Sequence, residues 1–266
     1  MLPRLHAGEK LTYQIRLRID KRVRSESRVA APTVAPAPDV VDILRTIAAE
    51  VLDVDAVNPR TKLSLRLQIH NPGASPPTSK TLELSLRPDG SLNPPQHADD
   101  LSAEDTQAWQ AWLVRFAIAW SFPTASPKSN EKWNSEEPIA GSPLSGLSWQ
   151  KQTQYVRQEK CPGAQSAADR CAVFLTTSIL KQRSSPKDAT PEDYKLRALK
   201  SRGTAKGRNE MFTYISLETG LVLRSSEEAH QFMDVIIGKA DGSNQVHYNI
   251  DAGSSTEMLL MADAAH

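Results

Sequence analysis

The sequence is notable first for what it has little of. Its 266 residues carry a formal net charge of only +1, which argues against a dedicated nucleic-acid binder, since such proteins carry a marked basic excess. No apolar run approaches the roughly 18 residues needed to span a bilayer as a helix, so no transmembrane segment is expected. Met1-Leu2-Pro3-Arg4 lacks the apolar stretch of a secretory signal. Two readings follow: a cytosolic protein, or a mature chain whose signal has been removed.

Catalytic motifs are also missing. There is no His-Glu-x-x-His, no Gly-x-Ser-x-Gly and no dinucleotide fingerprint. Ser-x-x-Lys occurs at Ser148–Lys151 and Ser129–Lys132, but that chemistry needs the serine at a helix start with the lysine one turn on. Ser148 opens an expected strand and Ser129 lies in an expected loop. Gly203-Thr204-Ala205-Lys206-Gly207 lacks the glycine spacing and the Lys-Ser/Thr ending of a phosphate loop. Histidines 6, 70, 97, 230, 247 and 266 show no paired ligand spacing. The expectation is a protein that is not an enzyme, with no catalytic residues, metal ligands or cofactor to name. A site built from residues distant in sequence stays open.

What is present describes a fold. Hydrophobic residues make up 39% and charged residues 24%, a balance that folds rather than stays disordered. Cys161 and Cys171 bracket a small, polar stretch, and an even count at the ends of one loop is what a disulfide requires. Closing so short a loop stabilises by roughly 2–3 kcal/mol. Two free thiols or a zinc pair are the alternatives. The disulfide is preferred and places the protein in an extracytoplasmic compartment, whether periplasm, cell surface or medium.

Leu11, Tyr13, Ile15, Leu17 and Ile19 alternate with polar residues, the period of a half-buried strand. Residues 30–38 are rich in proline and read as an extended loop. Residues 40–56 suit a helix or a strand, with strand preferred for 46–56. Leu63, Leu65, Leu67 and Ile69 alternate again, as do Leu82, Leu84 and Leu86. The period then changes: Trp109, Trp112, Leu113, Phe116 and Trp120 recur every three or four residues. That predicts an amphipathic helix over about 102–121, capped by Ser102 with Asp105 in support. Residues 122–146 read as a Pro/Ser-rich linker. Strand-like runs follow at 149–157, 172–182, 210–218, 221–226, 230–237, 245–250 and 256–261, with hairpin turns at Thr219-Gly220 and Asp241-Gly242.

The fold class expected is mainly β: a curved or partly closed antiparallel sheet packed on one long amphipathic helix. Residues 1–121 supply strands and the helix, 122–146 the linker, and 147–266 the strands that complete one shared sheet. Two basic runs, Arg16–Arg28 and Lys195–Arg208, suggest either a patch for anionic lipid or polymer or two solvated faces, the second being preferred. The run at 195–208 is expected to be an exposed, mobile loop. The short apolar run Thr256–Met261 is a candidate for pairing between subunits or within its own sheet.

The order of these elements, Leu11–Ile19, the strands up to Leu92, the aromatic helix and the later strands, resembles the half-barrels of bacterial lipoprotein carriers of the LolA, LolB and LppX type. The segments Glu137-Pro138, Ser142-Pro143-Leu144 and Gly146-Leu147-Ser148-Trp149 resemble uncharacterised bacterial envelope proteins. The carrier resemblance implies an apolar or lipid-like ligand held between sheet and helix. Trp109, Trp112, Phe116 and Trp120 would line it on the helix, with Tyr13, Leu17, Leu65 and Leu84 among those opposite. If the two surfaces touch, the same residues form an ordinary core, and the core is the preferred reading of the helix face. The alternative function is a structural or interaction protein of the envelope or an extracellular assembly, acting through strand edges and loops, as a homo-oligomer or on an envelope partner.

Overall fold

The computed structural model describes residues 3–27, 39–55, 62–74, 78–85, 95, 98–121, 131–162 and 169–261. Ten strands form: β1 (Lys10–Ser27), β2 (Asp39–Val54), β3 (Leu63–Asn71), β4 (Thr78–Ser85), β5 (Lys132–Pro138), β6 (Leu147–Lys160), β7 (Arg170–Gln182), β8 (Leu199–Ser216), β9 (Val222–Lys239) and β10 (Val246–Leu260). Among the described residues two α-helices join them, α1 (Ala103–Ala117) between β4 and β5 and the one-turn α2 (Glu192–Leu196) before β8.

All ten strands belong to one antiparallel sheet in the order β4-β3-β2-β1-β10-β9-β8-β7-β6-β5. Each neighbour in space is a neighbour in sequence except β1 and β10. Those two pair from Tyr13 opposite Leu260 to Ser27 opposite Val246, so the chain's two strand ends meet in the middle of an up-and-down meander. The sheet is open: β4 and β5 are its edges, and the chain between them carries α1.

Alternation sorts the side chains onto two faces. Leu11, Tyr13, Ile15 and Leu17 of β1 are buried on one face, with Ile43, Ile47, Leu65, Leu67, Leu82, Leu84 and Met258 from neighbouring strands in the same core. The helix lies on that face because Ala108, Trp109, Trp112 and Phe116 fall on one side of it and need cover. Ser102 caps it, its hydroxyl accepting the Asp105 N–H at 3.1 Å. A second, smaller core gathers Leu144, Leu147, Leu180, Ala189, Ala205 and Val235 under the far end of β6–β9. The opposite face of the sheet carries Arg16, Arg18, Glu210 and Glu228, all exposed.

Cys161 and Cys171 form a disulfide with Cα atoms 4.9 Å apart, pinning the β6–β7 connection. Among the described residues no helix is long and apolar enough to cross a membrane.

Several expectations are corrected. Residues 39–54 are a single strand, because Thr46–Val54 lie against β3 and Lys10–Lys21 of β1 pair along the rest; the helix option falls. The expected linker contains β5, paired with β6 from Lys132 opposite Gln154 to Pro138 opposite Ser148. The runs 221–226 and 230–237 are one strand, as are 245–250 and most of 256–261. The basic run at 195–208 is no loop: from Leu199 it is β8, held between β7 and β9. Thr256–Leu260 lie centrally, Thr256 opposite both Leu17 and Glu227, so that run is unavailable to another subunit. The prolines of 30–38, and Leu86, lie outside the described residues.

Candidate functional site

The aromatic face of α1 and the sheet beneath it are in contact. Trp112 is 0% exposed and stacks on Phe116 with ring centroids 4.7 Å apart. Tyr13 meets both rings edge-on at 6.0 Å. Trp109, Leu17, Leu65 and Leu84 are buried in the same cluster. The structure therefore brings together seven of the eight residues expected to line a ligand. They form a packed layer with α1 seated on it. Trp120 follows α1 in a 3-10 turn, and its side chain lies outside the described residues.

Three ion pairs fasten α1 at its ends. Arg45 of β2, almost fully buried, donates from Nε to Asp105 and from Nη2 to Glu104, each at 2.6 Å. Burial acts to raise the Asp105 pKa, but hydrogen bonds from Arg45 and Ser102 outweigh it and hold the carboxyl below its usual range. At the other end Arg115, 4% exposed, donates to the Glu227 carboxylate of β9 and to the Ala111 carbonyl at 2.7 Å. Asn209 of β8 donates to the other Glu227 oxygen. Desolvation lowers the Arg115 pKa against the pull of Glu227.

The polar atoms left over are concentrated. Buried side-chain polar atoms without a hydrogen-bond partner are Tyr13 Oη, Trp109 Nε1, Trp112 Nε1, Arg115 Nε, Asn209 Oδ1, Thr213 Oγ1 and Ser225 Oγ. Thr213 stands opposite Ser225, Ser225 opposite Met258, and Met258 opposite Ile15, which puts them on the face that α1 covers. Every such atom among the described residues lies in α1 or on that face. Burial drives the Tyr13 hydroxyl pKa far above its ordinary value, so it stays a neutral donor.

Sequence reading missed Arg45, Arg115, Glu227, Asn209, Thr213 and Ser225. One signal existed for Arg115: it falls three residues after Trp112 and one before Phe116, on the buried side of the helix. For Thr213 and Ser225 there was none, since neither spacing nor neighbours distinguish them from surface hydroxyls.

The remaining motifs dissolve in the structure. Ser148 and Lys151 lie three apart on β6 and so point to opposite faces; Ser148 donates to Glu136 at 2.6 Å and Lys151 pairs with Glu137. Ser129 lies outside the described residues. The glycine-rich stretch is inside β8, where a Cβ on Gly207 would stand 2.8 Å from Trp149, and one on Gly203 (φ +142°) 2.0 Å from the Asp234 carbonyl. The described residues contain no group of three or more His, Cys, Asp or Glu that would hold a metal.

The two basic runs do share the uncovered face, three strands apart, but acids stand between them. Arg22 is opposite Asp251, which bonds His230 at 2.8 Å, and His247 bonds Asp234 at 2.7 Å. Clefts of about 540, 560 and 590 Å³ open on this face, and no residue of α1 lines them.

No protein-family model matches this chain. No curated protein matches it either.

Proposed function

We propose that the protein is a non-enzymatic binding protein of an extracytoplasmic compartment, taking a lipid-like ligand between α1 and the sheet, with α1 seated on its own site when no ligand is bound. One observation carries this reading: the buried polar atoms that lack partners are gathered at that one interface. Native cores leave few such atoms, and each costs about 1–3 kcal/mol. A permanent core would gain by replacing the unpartnered hydroxyls and indole N–H groups with carbon. An interface that opens to admit a ligand has a use for them.

The covalent and hydrogen-bonded framework permits the movement. The backbone bonds of the sheet do not involve α1, which is held by side chains alone. Residues 86–102 and 118–131 separate it in sequence from β4 and β5, and none of the ten strands runs through it. Trp109, Trp112 and Phe116 each bury at least ~150 Å², or ~4 kcal/mol apiece at 25 cal/mol per Å², ~12 kcal/mol in all as an upper estimate. At ~0.8 kcal/mol per methylene, an acyl chain of ~15 carbons offsets that loss. Ligands much shorter are not expected to bind. The disulfide supports the oxidising compartment.

Native mass spectrometry of detergent-free protein, then titration with a fluorescent long-chain fatty acid against tryptophan emission, tests the proposal. Saturable binding at one site per chain supports it. Absence of both co-purified lipid and saturable binding contradicts it.

A second reading, an interaction protein working through a sheet edge, is favoured by β4. Among the described residues its outer edge has no strand partner, and its eight residues include two charged ones, Lys80 and Glu83. The other edge, β5, is short and carries Lys132, Glu136, Glu137 and Pro138, the residues that deter pairing. Light scattering separates the readings: a concentration-dependent dimer, lost in Lys80→Pro with the circular dichroism spectrum unchanged, would favour the edge.

A further inference from the structure

The face of the sheet turned away from α1 carries a separate feature. The 540 Å³ and 560 Å³ clefts share Arg18, Glu210, Glu228 and Ser255, and the 560 Å³ and 590 Å³ clefts share Thr177 and Ile179. They are one trough. It follows a single register level across the strands: Arg18, Ser255, Glu228, Glu210, Thr177 and Gln152 are successive partners, ending at Asn134 on β5. From β1 to β5 that is six inter-strand steps, about 29 Å at ~4.8 Å each. Its depth comes from Gly253 and Ser255 in β10. A Cβ on Gly253 would meet nothing within 4 Å.

We infer that this trough binds a neutral polysaccharide chain laid across the strands. Its length suits a polymer rather than a small molecule. Its lining is hydroxyl, amide, carboxylate and guanidinium, groups that match the paired donors and acceptors of sugar hydroxyls. Ile179, 57% exposed, and Phe212, 36% exposed, provide apolar contact for the C–H faces of sugar rings. Charge excludes the competing polymers. Arg16 is paired with Asp42, Arg18 with Asp20, Glu257 with Arg224 and Glu136 with Arg183. Glu210, Glu228 and Arg208 remain, a net charge of −1 from two acids and one base. A polyanion finds no cation excess to release its counterions. A protein partner would meet charge at the centre of the contact, where protein interfaces are depleted of it.

Affinity electrophoresis through gels containing neutral β-glucans, galactomannan or carboxymethyl glucan tests the inference. Retardation by at least one neutral polymer, little changed between 50 mM and 500 mM salt, and reduced at least tenfold in affinity by Gly253→Tyr, is the expected result. Gln152→Ala, a smaller change at the exposed far end, should weaken the same polymer about threefold. Retardation by the carboxymethyl polymer alone, loss of binding at high salt, no retardation by any neutral polymer, or Gly253→Tyr binding like the parent protein would each overturn it. The fatty-acid titration reads the other face, so the two proposals fail separately.

Discussion

Replacing Trp112 by alanine tests whether α1 is core or plug. The side chain is completely buried, stacked on Phe116 at 4.7 Å and set against Tyr13 at 6.0 Å. Truncating such a ring in an ordinary core costs about 3–5 kcal/mol. Here the indole N–H has no partner, so its removal returns about 1–3 kcal/mol. The expected net loss is therefore ~2 kcal/mol in urea unfolding followed by far-ultraviolet circular dichroism. Trp112→Phe keeps a ring and deletes the unpartnered donor, and should stay within ~1 kcal/mol of the parent. Fatty-acid affinity is expected to change in Trp112→Ala while Trp112→Phe binds like the parent, because truncation lowers the cost of lifting α1 and also removes a ring the ligand would lie against. A loss of 4 kcal/mol or more in Trp112→Ala together with ~2 kcal/mol in Trp112→Phe would refute the reasoning, since it would mean the N–H is satisfied and the helix is integral to the core.

Three further outcomes are expected. Arg115→Met strands the Glu227 carboxylate beside Asn209 and should cost about 3 kcal/mol, most of it recovered when Glu227→Gln is added, as a double-mutant cycle in urea would read. Asp105 has a folded-state pKa below its unfolded value near 3.9, so its contribution is present above that pH and is lost as pH falls through the lowered value; protection of α1 amides should decline below about pH 4 before the strands lose theirs, and a helix that holds until the sheet unfolds would contradict this. Cys161→Ser with Cys171→Ser should lower stability by roughly 2–3 kcal/mol without changing the circular dichroism spectrum, and no loss would mean that the β6–β7 connection is already ordered by its strands.

Much of this fold was legible because binary patterning was clear where one face is apolar and the other polar. The first half of β1, β3 and α1 could be read directly, with Ser102 as cap. Residues 40–56 stayed ambiguous because Val40, Ile43, Leu44 and Ile47 have helical spacing while residues 49–56 also suit a strand; only the partners on β1 and β3 decide. The first half of β8 was read as a loop because its inward residues are small rather than apolar: Ser201, Gly203, Ala205 and Gly207 make room for Trp149 and for the close approach of β9. β5 escaped notice because an edge strand, KWNSEEP, is exposed almost throughout and shows no alternation. The eight candidate ligand residues were found by their hydrophobicity, but the polar half of the interface was not, since Glu227 and Asn209 come together under Arg115 only through the β8–β9 pairing.

The most direct test of the central claim is hydrogen exchange of α1 with and without a long-chain fatty acid. In ligand-free protein the α1 amides should exchange through an opening that leaves β1, β9 and β10 protected, and bound ligand should change exchange in α1 at least tenfold while the strands stay the same. Exchange of α1 only by global unfolding, at the same free energy as the central strands and indifferent to ligand, would contradict it.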